Sequence, residues 1–152
     1  MSRVPDPETA RLEKRFNEIL QQKKDEDLRI ASYNIFKINE GNNVSIIEKD
    51  INSGAGSFNL CLNKFICSDN SILNHSMLYD DKTRSNYLGY NYYEAGRNTV
   101  LNIDNMNINS SFNKNFIEVD LNKEGSEVKI NVLNLVRNDE HLDNNIREQK
   151  HK

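Results

Sequence analysis

The sequence predicts a mainly β fold: an antiparallel sandwich or barrel of about eight short strands, preceded by one long N-terminal α-helix and followed by a polar C-terminal tail. Three observations predict it. From Asp6 to Ala31 the apolar residues recur at helical spacing, and no Gly intervenes. From residue 32 to residue 136 short alternating apolar runs return every 8–14 residues, with no helical stretch between them. From Arg137 onward the chain is almost wholly polar.

The first segment, 1–31, reads as an amphipathic helix. Asp6 is a good N-cap, Pro7 suits the first helical position and Glu8 favours the positive end of the helix dipole. Leu12, Phe16, Ile19 and Leu20 form the apolar stripe, resumed by Leu28 and Ala31 after the charged run Lys23 to Asp27. A helix with so narrow a stripe is marginal alone in water, so it needs a surface to lie on, either its own sheet or a partner chain.

The second segment, 32–136, reads as a β-sandwich or barrel domain. Tyr33, Ile35 and Ile38 mark one strand and Val44 to Ile47 another; Phe58, Leu60 and Leu62 alternate with Asn59, Cys61 and Asn63. Further strands are predicted over Ile72 to Tyr79, Tyr87 to Tyr93, Thr99 to Ile108, Phe116 to Leu121 and Val128 to Val136. The stretch Asn122 to Ser126, with Gly125, has hairpin-loop chemistry, and Ile51 to Ser57 reads as another turn. A change of phase between Val132 and Leu133 suggests a bulge or burial on both faces. The third segment, 137–152, is a polar tail or one short helix on Leu142 and Ile146. No internal repeat is visible.

Composition narrows the function. One domain fits 152 residues, and the formal charge of −3 is mild. Residues 1–31 carry seven basic and seven acidic side chains and residues 137–152 four of each, so no basic field advertises nucleic-acid binding. Asn makes up about one residue in six, scattered rather than in runs, which fits an AT-rich eukaryotic genome. The N-terminus has no apolar signal region and no run reaches transmembrane length, which places the chain in the cytoplasm or nucleus. There the two cysteines read as free thiols.

Chemistry is sparse. Cys61, Cys67, Asp69 and His75 fall within fifteen residues, but they lack the paired spacing of zinc ligands. On one extended strand the two cysteines would lie about 20 Å apart unless Asn63-Lys64 made a turn. No phosphate-binding Gly motif, calcium loop or Ser/His/Asp set is present. No catalytic residue, metal ligand or cofactor is assigned, and the chain is expected not to be an enzyme. Tyr87, Tyr90, Tyr92 and Tyr93, flanked by Arg84 and Arg97, are strand formers that also suit an interface.

The sequence therefore predicts a non-catalytic protein-interaction or structural subunit of a larger assembly. It would contact protein partners through Leu12, Phe16, Ile19 and Leu20 or through Tyr87, Tyr90, Tyr92 and Arg97. The alternative is a barrel that binds single-stranded nucleic acid by stacking bases on the same tyrosines beside Arg97. No membrane partner is expected.

Overall fold

The computed structural model describes residue 14 and residues 28–50, 58–80, 86–108, 112–137 and 139–150. Nine strands follow one another: β1 (Leu28–Ile38), β2 (Asn43–Asp50), β3 (Phe58–Cys67), β4 (Ile72–Asp80), β5 (Asn86–Ala95), β6 (Val100–Ile108), β7 (Phe112–Leu121), β8 (Glu127–Leu135) and β9 (His141–Lys150). No strand pairs with its sequence neighbour. The odd strands form one sheet, β1-β3-β5-β7-β9, and the even strands another, β2-β4-β6-β8. Every pairing is parallel. The chain is a parallel β-solenoid of about four turns, two strands to a turn.

The coils stack in register. Ala31 lies on Leu60, Leu60 on Leu88, Leu88 on Lys114 and Lys114 on Asp143, steps of 29, 28, 26 and 29 residues. One corner of each coil is built alike. Gly41, Asn70, Asn98 and Gly125 all take positive φ, between 52° and 73°. Gly and Asn are the residues that tolerate this left-handed backbone, and it turns the chain from the odd sheet into the even one. The corners are tied to each other by main-chain bonds, Gly41 N–H to the Asp69 carbonyl, Asn70 N–H to that of Arg97 and Asn98 N–H to that of Glu124, at 2.7–3.2 Å.

Alternate residues point inward and form one core between the sheets. Phe65, Cys67, Tyr87, Tyr93, Ile117 and Val119 come from the odd sheet, Leu73, Met77, Tyr79, Leu101 and Ile103 from the even one. Like residues stack on like. Phe36, Phe65 and Tyr93 make a column of nearly parallel rings 4.7 and 4.8 Å apart. Asn34, Asn63 and Asn91 make a second column, each amide donating 2.9 Å to the next.

The predicted antiparallel sandwich or barrel is thus corrected to a parallel solenoid, and among the described residues Lys14 alone is helical. The even-odd alternation of side chains was read rightly; it is the same in parallel and antiparallel strands and does not choose between them. The strand positions from Tyr33 to Val136 match β1 to β8 closely. Leu28 and Ala31, assigned to the helix stripe, stand in β1. Leu12, Phe16, Ile19, Leu20 and the turn at Ile51 to Ser57 lie outside the described residues. Asn122 to Ser126 is a corner between the two sheets rather than a hairpin, because β7 pairs with β5 and β9 and not with β8. The register of β8 on β6 runs unbroken from Val100/Glu127 to Ile108/Leu135, so no bulge explains the change of phase there. The polar tail is strand β9, held on β7 from His141 to Lys150. A polar strand is stable here because its main chain completes a ladder with the coil above, whatever its side chains.

Candidate functional site

Cys61 and Cys67 both face the interior from β3, six residues apart on an unbroken strand. Asn63-Lys64 is strand and makes no turn, so the two sulfurs cannot share a metal. Asp69 belongs to a corner, where its Oδ1 accepts the Arg97 N–H at 2.8 Å. His75 faces the interior from β4 and is fully buried. The four residues singled out by sequence are therefore not one site.

Two of them converge on a residue that sequence reasoning passed over. Glu48, inward-facing on β2, sits at the N-terminal end of the solenoid with its side chain 26% exposed. Its Oε2 lies 3.3 Å from His75 Nε2 and accepts Asn63 Nδ2–H at 2.9 Å. Its Oε1 accepts the Cys61 thiol at 3.5 Å. His75 Nδ1 meets the Tyr93 hydroxyl at 2.7 Å on its other side. Ser32 Oγ donates to Cys61 Sγ at 3.2 Å from β1. Sulfur, carboxylate, imidazole and phenol thus form one connected network, Cys61–Glu48–His75–Tyr93, bridging the two sheets.

The electrostatics follow from burial. Burial would raise the Glu48 carboxyl, but the hydrogen bond and charge of His75, with hydrogen bonds from Asn63 and Cys61, outweigh it and hold the group below its ordinary value. Burial, and then the Glu48 charge, push the Cys61 thiol up to about 11. Burial and the Glu94 charge push Cys67 up to about 12. Both cysteines are therefore neutral thiols near pH 7. Burial likewise raises the phenols of Tyr79, Tyr87 and Tyr93 well above the usual range. Among the described residues no group of three or more His, Cys, Asp or Glu is arranged to hold a metal ion. As the side chains stand, Glu48, His75 and Cys61 occupy one another.

The tyrosine set divides. Tyr87 and Tyr93 point into the solenoid, where the Tyr87 and Tyr79 hydroxyls meet at 3.0 Å. Tyr90 and Tyr92 point to the opposite side of the same sheet and are buried there, the first donating to Glu118 and the second to Asp120 at 3.3 Å. Arg97 is an exposed corner residue. Lys64 Nζ stands 5.6 Å from the centre of the Tyr92 ring, but both side chains are buried, so these described residues offer no exposed platform for stacking bases.

What kind of parallel solenoid this is was settled by comparison. Residues 20–152 match the family described as SUF system FeS cluster assembly, SufBD core domain. The chain belongs to the SufBD core family. Comparison with curated proteins and with solved structures gave no match. Membership corrects the functional expectation: iron–sulfur cluster assembly replaces both the unspecified structural subunit and the nucleic-acid-binding barrel. The expectation of protein partners stands at a coarse level, because SufBD core domains belong to an assembly system of several components. Among the described residues no helix is long and apolar enough to cross a membrane.

Sequence reasoning missed Glu48, Asn63, Asn91 and Tyr93 as a group. The signal was the coil period: a step of 29 residues lays Ile46 on His75 and puts Glu48 one inward position along the same strand. That period is carried by one Gly or Asn per corner, too thin a repeat to see before the corners are known.

Proposed function

We propose that this chain is a non-catalytic scaffold subunit in iron–sulfur cluster assembly, and that the Cys61–Glu48–His75 network is where it meets the components of the cluster. Membership in the SufBD core family supports the process. The observation that carries the site is Glu48, the half-buried carboxylate that joins a thiol and an imidazole at the N-terminal end of the solenoid. Iron and sulfide are substrates here, not resident groups. An incoming iron ion would compete with Glu48 for His75 and Cys61, and binding would displace the thiol proton, for which the Glu48 carboxylate, with Oε1 3.5 Å from the sulfur, is a basic acceptor. Scaffolding fits the chemistry better than turnover: both thiols are neutral and no activated nucleophile is present among the described residues.

The test is cluster reconstitution with the purified full chain and the other SUF components, read by visible absorbance and by iron and sulfide content. Cys61→Ser and Glu48→Gln, each with a melting curve near that of the parent, are expected to lower cluster yield at least about tenfold, the scale of losing a first ligand or its orienting group. Folded variants that assemble clusters as the parent does would remove the site. Clusters formed in catalytic excess over the chain, with none retained on it, would remove the scaffold reading.

A further inference from the structure

Tyr93 meets His75 on the side away from Glu48. Its hydroxyl lies 2.7 Å from Nδ1, while Nε2 lies 3.3 Å from Glu48 Oε2. Both rings are fully buried. The Phe65 ring lies against both, stacked on Tyr93 at 4.8 Å and tilted on His75 at 4.5 Å, so packing fixes how they face each other. Of the stacked rings Phe36, Phe65 and Tyr93, only the last carries a hydroxyl, and that hydroxyl is the one that reaches His75.

The two contacts place opposite demands on the imidazole. A carboxylate only accepts, so the nitrogen facing Glu48 must carry a proton to bond it. The Tyr93 phenol keeps its own proton, because burial raises it well above the usual range. Among the described residues the partner of that hydroxyl is His75 Nδ1, which can accept only if it is bare. One placement of the protons satisfies every group: Nε2–H donates to Glu48, and the Tyr93 hydroxyl donates to Nδ1. The other tautomer turns a lone pair toward a carboxylate and strands the hydroxyl proton in a dry interior, and both are costly.

We propose that Tyr93 is a positioning residue: it holds neutral His75 as the Nε2–H tautomer, so that the nitrogen on the side of Glu48 and Cys61 is a donor and not a ligand. The consequence for iron rests on the network being the place where iron arrives. For His75 to bind iron through Nε2, the Nε2–H bond must break and an N–H bond must form at Nδ1, one proton moved with no change of charge. Tyr93 must then accept, and its own proton must turn to where no acceptor is described. Tyr93 thus opposes capture of iron at this nitrogen.

The test is nitrogen–proton correlation spectroscopy on the labelled full chain. His141→Gln and His151→Gln leave His75 as the remaining imidazole of three. At about pH 8, where a free imidazole is neutral, the proton is expected on Nε2, with Nδ1 bare and hydrogen-bonded. Tyr93→Phe is expected to move the Nδ1 signal to that of a bare nitrogen without a hydrogen bond, with Nε2 still protonated. A proton on Nδ1, alone or with one on Nε2, overturns the proposal, as does an Nδ1 signal indifferent to Tyr93→Phe. Should that variant fail to fold, the spectrum of the Tyr93 chain decides. Iron is read separately, as ferrous iron alone, titrated without oxygen against a chelator. Tyr93→Phe is expected to bind it at least about fivefold more tightly, because no hydroxyl proton is stranded. Equal or weaker binding by the folded variant, with Cys61→Ser abolishing binding in the parent, overturns the opposition to iron. If neither chain binds iron through Cys61, the reading of the network as an iron site fails instead, and the spectrum alone decides the proton's place.

Discussion

The outer faces of the two sheets are built on opposite plans. On β3 and β5 of the odd sheet the outward residues Phe58, Leu60, Leu62, Leu88, Tyr90 and Tyr92 are all buried, whereas Tyr33 and Ile35 of β1 stay exposed. On the even sheet the same alternate positions carry Ser45, Asn74, Ser76, Asn102, Asp104 and Asn131, exposed or half-buried and linked by side-chain bonds from coil to coil. The odd sheet is therefore buried on its outward side over β3 and β5, and the even sheet is a wall between core and water. In a solenoid the main chain is satisfied identically in both, so the difference lies wholly in side chains. A strand such as β3 then loses its alternation of exposure, while β4 and β6 keep theirs.

The largest effect should come from setting the two faces against each other. Leu60→Ala on the odd sheet is expected to cost about 3 kcal/mol, the range for a large buried side chain removed. Ile47→Ala on the even sheet, where Ile47 is 80% exposed, should stay within about 0.5 kcal/mol. Denaturant melts of the two variants give the comparison directly, and equal losses would mean that the two faces are equally covered.

A smaller loss is expected from the inner side of the odd sheet. Gly89 sits between Cys61 above and Asn115 below, and an added Cβ would run into Asn115 Oδ1 and come within 2.7 Å of the Tyr87 ring. Gly89→Ala should cost about 2 kcal/mol through overpacking, and Asn115→Ala should restore part of it. If the double variant is no more stable than Gly89→Ala, the crowding lies elsewhere.

The corners should be milder still, because they border solvent. Gly125 has φ +73°, and a Cβ there would meet the Asn98 amide, the end of a side chain in an exposed turn. Gly125→Ala should cost about 1–2 kcal/mol, mostly the left-handed backbone. Gly125→Asn, matching Asn70 and Asn98 at the same corner, should cost less, as chemical denaturation would show.

The smallest change is one of slope on the inner side of the even sheet. The Glu48 carboxyl is lower in the fold than its ordinary 4.5, so its charge stabilises the fold above that pH and the contribution fades as pH falls through the lower folded value. Glu48→Gln should be less stable than the parent at pH 7, and the gap should narrow below about pH 4.5. A gap independent of pH would show that the carboxylate's charge is not what His75 and Asn63 hold.

Strand positions were legible because alternate apolar residues declare a pleat wherever the strand sits. Topology was not. Val44, Leu73, Leu101 and Val128 occupy equivalent places in four coils, but nothing in any one of those strands says that its partner lies 27–29 residues away. His141 to Lys150 was unreadable for another reason: a strand with Asp143, Asn144 and Arg147 has no apolar pattern, and only the ladder of β7 makes it a strand. The site was half legible. Cys61 and His75 stood out as residue types, whereas Glu48 is one carboxylate among twenty-three acidic residues until the coil brings it over them. That Tyr90 and Tyr92 are buried on the outward side of β5 was not legible either, since a tyrosine on a strand looks the same whether its face is exposed or buried.

The stacking of coil on coil carries a mechanical consequence. Among the described residues each strand pairs only with strands of the turns on either side, so no strand pairing clamps the first coil to the last. A tension applied between the two ends would meet one coil at a time. Each released turn of about 28 residues would pay out roughly 95 Å of slack chain, at about 3.4 Å per residue. The interior columns of Phe36, Phe65 and Tyr93 and of Asn34, Asn63 and Asn91 would part like cards lifted from a deck, and the outermost turns would go first.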